Sequence, residues 1–187
     1  MRYRWIELIG YGGIYNGMGL NQIKIDFDKC LTNKIVIRGS NGSGKSTLMR
    51  SINPLPDTND CFIPNSEARK NICLTDNGID YIIRYIHPVT NSGRGTTKGY
   101  ISKTVNGSLV ELNPNGNISS CKEILDEELG LDSNFISLSR LSSEDRGLVD
   151  SKPAERKKFI NAIIDAIETY NGIYKILTKK SSTYKQM

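Results

Sequence analysis

Hydrophobic and polar residues alternate along most of this chain in short runs, broken by glycine, asparagine and proline. That rhythm predicts strands over the first two thirds and a helix at the end. Over residues 2–9, Tyr3, Trp5 and Glu7 alternate with Arg4, Ile6 and Leu8, which predicts a strand closed by the turn Gly10-Tyr11-Gly12-Gly13. Residues 20–27 alternate again. The β-branched run 34–38 (KIVIR) lies between Asn33 and Gly39 and predicts a short buried strand. Residues 45–52 predict a helix stopped by Pro54, and 53–70, rich in Pro, Asn and Asp, predict a loop.

Two hairpins follow. Residues 71–75 and 79–86 flank Asp76-Asn77-Gly78, and 99–105 and 108–112 flank Asn106-Gly107. Together they predict an antiparallel meander, with 90–98 as an exposed loop. Ser119 or Ser120 can cap a helix running to Leu129 and closed by Gly130. In the last segment Phe159, Ile163, Ala166, Tyr170, Ile173, Leu177 and Tyr184 recur at alternating four- and three-residue steps, interrupted by Lys180. This is a coiled-coil seam, and a helix over 153–187 would run about 50 Å, longer than a small domain needs. The pattern divides the chain into a domain over 1–152 and a projecting helix over 153–187.

Composition changes this picture little. The chain has 187 residues and a formal charge of +5, which favours contact with polyanions without establishing it. Cys30, Cys61, Cys73 and Cys121 lie far apart and His87 is the single histidine, so a zinc site is not expected and the thiols read as reduced. No signal peptide and no membrane span are expected, and the chain reads as cytoplasmic.

The chemistry lies at Gly39-Ser40-Asn41-Gly42-Ser43-Gly44-Lys45-Ser46, which satisfies G-x-x-x-x-G-K-[ST] in full. Glycines let backbone N–H groups converge on phosphate oxygens, and a helix start adds its positive dipole end. Gly39, Asn41, Gly42, Ser43, Gly44, Lys45, Ser46 and Thr47 are the expected nucleotide contacts. Lys45 should reach the β and γ phosphates as the catalytic lysine, and Ser46 should hold Mg²⁺. A hydrolytic site also needs an acidic residue at the end of a second buried strand. The one such string, Ile124-Leu125-Asp126-Glu127, fits a solvated helix face better.

The order of parts resembles the N-terminal half of the head of SMC-like ABC ATPases, closest to the SbcC type, which is Rad-fifty-like. The parts are two strands, GSNGSGKST, a meander opened by Ala68-Arg69-Lys70, LGLDSNF over 129–135, and SKPAERKKFI opening the last helix. The resemblance implies an α/β P-loop fold of ABC type with an antiparallel meander and a protruding coiled-coil helix. It implies ATP with Mg²⁺ as ligands, a bacterial or phage source, and DNA repair or recombination as the role. Its expected partners are a C-terminal lobe outside this sequence, a second head, an SbcD-type nuclease and DNA. A shortened chain is favoured over a split gene product, and nucleotide binding without efficient hydrolysis is expected of this part alone. Arg69 or Lys70 would contact phosphate or DNA. Three features depart from the family: Gly12 and Gly13 replace a basic residue, the stretch SLSRLSSEDRG after Phe135 holds no glutamine, and Pro54 comes early. A DNA-clamping SMC, RecF- or RecN-like ATPase without a nuclease is the alternative. A stand-alone P-loop NTPase or small-molecule kinase fits less well, since a meander replaces alternating βα units.

Overall fold

A computed structural model describes residues 1–30, 34–91, 93–131, 152–154, 156, 157 and 160. The chain divides into two compact units, Met1–Leu131 and Asp132–Met187. In the first, strand β1 (Arg2–Ile9) leads through Gly10 into helix α1 (Gly12–Met18), then β2 (Gln22–Asp26) and a 3₁₀ turn. Helix α2 (Lys45–Ser51) follows the glycine-rich loop 39–44. Strands β3 (Ala68–Asp76) and β4 (Ile79–His87) come next, then a small hairpin of β5 (Val89–Thr90) and β6 (Gly93–Arg94). Strands β7 (Lys98–Val105) and β8 (Ser108–Glu111) and helix α3 (Ile118–Leu129) complete the unit.

Six strands form one antiparallel sheet in the order β2-β1-β3-β4-β7-β8, so the fold is mixed α/β with an antiparallel sheet. Both expected hairpins form. Asp76 pairs with Ile79 and Val105 with Ser108 across two-residue loops, Asn77-Gly78 and Asn106-Gly107, whose residues all have positive φ. Only type I′ loops place both central residues there, which is why Asn-Gly suits them.

The register puts Ile6, Leu8, Ile72, Leu74, Ile83 and Ile101 on one face, all at most 1% exposed. Each such aliphatic side chain contributes roughly 1.5–3 kcal/mol by leaving water. Helix α3 lies on this inner face. There Glu128 accepts from Tyr81 (3.0 Å) and Lys103 (2.6 Å), and Cys121 donates to the Tyr85 hydroxyl (3.5 Å).

Several expectations need correction. The turn after β1 continues into α1, a helix hidden from propensity by its three glycines. The cap of α3 is Asn117, whose side chain accepts from the Ser119 N–H at 2.8 Å, and Gly130 closes the helix in the left-handed conformation. The β5–β6 hairpin, beginning at Val89, extends into the 90–98 stretch expected to be loop. Residues 34–38 belong to neither sheet: Ile35 and Val36 are exposed, Val36 to 75%. A β-branched run becomes a strand only beside another, and no described strand lies alongside it. In the second unit Arg156 N–H donates to the Lys152 carbonyl at 2.9 Å in the helical turn opening at Pro153. The rest of the expected coiled coil, and the stretch after Phe135, lie outside the described residues. Among the described residues no helix is long and apolar enough to cross a membrane.

Candidate nucleotide-binding site

Residues 39–47 form a loop that tightens into the first turn of α2. Gly42 and Gly44 both sit at φ +81°, a conformation that L side chains rarely adopt, and Gly44 occupies the N-cap position without a side-chain cap. The N–H groups of the first turn of α2 therefore have no partner within the helix and are available to an anion. Lys45 curls back over the loop, its Nζ donating to the carbonyls of Gly39 (2.8 Å) and Ser40 (2.6 Å). The lysine thus spans the loop opening, with its charge where phosphate oxygens would enter. Asn41 and Ser46 are exposed, and Thr47 is half-buried.

The loop rests on α1. A Cβ at Gly13 would overlap the Thr47 Oγ1, and one at Gly17 would overlap the Gly42 carbonyl oxygen. A Cβ at Gly44 would stand 2.9 Å from the Gly13 carbonyl oxygen. At Gly17 and Gly44 backbone meets backbone, and at Gly13 backbone meets the Thr47 side chain, so α1 and the loop are in close contact. Next to this contact Ile14, Ile23, Ile25, Ile37 and Leu48 help line a largely apolar cavity of about 210 Å³. Sequence reasoning missed α1 as part of the site; the signal was the four-residue spacing of Gly13 and Gly17, which puts both on one helix face.

Gly39, Asn41, Gly42, Ser43, Gly44, Lys45, Ser46 and Thr47 lie together in the one loop and the start of α2. Arg69 stands on β3. It pairs with Ile9 on the sheet face opposite the core, and its Nε bonds Glu67 at 2.6 Å. Lys70 is fully buried and ion-paired with Asp57 at 3.1 Å, so it is not a surface cation for phosphate or DNA; alternation along β3 turned it inward. Asp126 and Glu127 are exposed on α3, as a solvated helix face.

Among the described residues no group of three or more His, Cys, Asp or Glu could hold a metal ion. The Ser46 hydroxyl remains the candidate protein ligand for Mg²⁺, with phosphate oxygens and water supplying the rest of a shell that this ion keeps largely hydrated. All four cysteines are free thiols. Burial pushes the Tyr11 hydroxyl well above its ordinary range, and the carboxylate of Asp57 adds to the effect. No protein-family model matches the chain, and no curated protein matches it either.

Proposed function

We propose that this chain is the ATP-binding lobe of an SMC-like DNA repair ATPase. The observation that carries the nucleotide assignment is the glycine cradle of residues 39–47, with Lys45 folded across its mouth and α1 against its back. Lys45 would exchange its two carbonyl partners for β- and γ-phosphate oxygens. Ser46 would hold Mg²⁺, which neutralises phosphate charge when bound.

Two features favour an incomplete ATPase head over a stand-alone kinase. The meander replaces βα units after the phosphate loop, and Ile35 and Val36 of the β-branched run 34–38 stay exposed. A strand feeding a P-loop is ordinarily covered on both sides in a parallel sheet. The exposed Ile35 and Val36 suit a C-terminal lobe that would supply neighbouring strands. Through the resemblance, that lobe brings the remaining hydrolytic residues, a second head and an SbcD-type nuclease acting on DNA ends.

Mg²⁺-ATP should raise the melting temperature of the chain in a concentration-dependent way, by about 3 kcal/mol of stability at a hundred times Kd. Lys45→Ala should abolish the rise. Equal stabilisation of the variant would remove the assignment.

A further inference from the structure

The segment leaving α2 is held to the sheet by polar side chains. The Ile52 carbonyl accepts from the Tyr3 hydroxyl at 2.7 Å, the Pro54 carbonyl from the Tyr85 hydroxyl at 3.0 Å, and the Leu55 carbonyl from Lys70 Nζ at 2.8 Å. Two residues on, Asp57 Oδ2 accepts from Lys70 Nζ at 3.1 Å and from the Tyr11 hydroxyl at 2.6 Å. The donors to the three carbonyls come from β1, β4 and β3, and Lys70 and Tyr85 are fully buried.

Carbonyls at a helix end lack intrahelical partners, and here three at or just past the end of α2 each receive one. Hydrophobic packing would hold the segment more cheaply, because a buried lysine is costly to desolvate and an apolar side chain of similar volume carries no such cost. Hydrogen bonds add direction, which apolar contact lacks. The supports at the two ends of α2 also converge. Tyr11, bonded to Asp57, immediately precedes α1, and α1 carries Gly13 and Gly17 against the phosphate loop.

We propose that Lys70 and Asp57 are positioning residues for the phosphate loop, setting α2 from its far end and α1 through Tyr11. This inference rests on the nucleotide-binding reading above. Helix α2 has seven residues, so a tilt at residues 52–57 is carried directly to the N–H groups of Gly44, Lys45 and Ser46. Displacements near 1 Å are enough to cost one to two orders of magnitude in a preorganised site.

The test measures Mg²⁺-ATP affinity by calorimetry on the full chain, well below its melting temperature, beside the melting temperature itself. Lys70→Met should weaken binding about tenfold and Tyr85→Phe about threefold, with far-UV circular dichroism unchanged. Adding Asp57→Asn to Lys70→Met should cost less than the sum of the two single losses, because the residues act as a unit. Lowered melting temperatures with wild-type affinity would assign these residues to stability alone and overturn the proposal. If Lys70→Met does not fold, Tyr85→Phe decides by the same criterion. Binding that is absent in the wild type, or indifferent to Lys45→Ala, removes the nucleotide reading and this one together. Binding that needs Lys45 and ignores Lys70 and Tyr85 overturns only the anchor.

Discussion

At Gly17 the ordinary effect of a substitution should change sign. Alanine in place of glycine within a helix usually stabilises by up to about 1 kcal/mol. Here the added methyl would overlap the Gly42 carbonyl, and backbone cannot swing away as a side chain does. Gly17→Ala should therefore destabilise by roughly 1–3 kcal/mol and weaken Mg²⁺-ATP binding. Tyr15→Ala, at an exposed position of the same helix, should change stability by only about 0.5 kcal/mol. Urea titration of both variants checks this, and a stabilised Gly17→Ala would mean that α1 stands off the loop. The loop 39–47 was legible as a pattern because the chemistry proposed for it is local: each residue would act through its own backbone or side chain within a nine-residue stretch. Lys70 was not, because its role depends on Asp57, thirteen residues earlier, and on which face of β3 it occupies. A basic residue at the start of a strand reads as surface charge until the register is known.

At the level of elements, the two Asn-Gly hairpins and β1 could be read from the chain, since turn chemistry and alternation act over a few residues. Helix α1 could not, because Gly12, Gly13 and Gly17 depress helix propensity while serving tertiary contact. The run 34–38 shows the opposite failure. Its propensity for β structure is plain, yet no described strand flanks it, and Ile35 and Val36 face water. Val36→Lys should accordingly change the stability of this chain by no more than about 0.5 kcal/mol. It should also abolish association with a C-terminal lobe, if that lobe packs there as proposed. Chemical denaturation tests the first statement and co-purification with the lobe tests the second; a large loss of stability would show Val36 already packed.

For the whole molecule, acid stability should turn on His87. Its ring stacks on Phe62 with centroids 4.2 Å apart, and its Nδ1 meets the Thr97 hydroxyl at 2.9 Å. Its Nε2 is buried without a partner among the described residues. Its pKa is lowered from 6.5 to about 4, chiefly by burial; the Asp57 carboxylate opposes the shift, and the charges of Lys70 and Arg94 add to it. The unfolded chain therefore takes up the proton first on acidification. The His87 contribution is complete above about pH 6.5, is lost progressively down to about pH 4 and is constant below, for a total of at most about 3 kcal/mol. Urea unfolding across that window should show the slope in the wild type and not in His87→Gln; an equal slope in the variant would assign it to other groups. The pairing of β1 with β3 has a consequence of a different kind. Ile9 stands opposite Arg69, so these two strands close a loop that contains α1, β2, the phosphate loop and α2. Gathering that length of chain costs about 4 kcal/mol of entropy, and the sheet supplies it when the protein folds. On the proposed reading, a nucleotide arriving at Lys45 would meet a loop whose ends are already joined, and none of its binding energy would go into drawing them together.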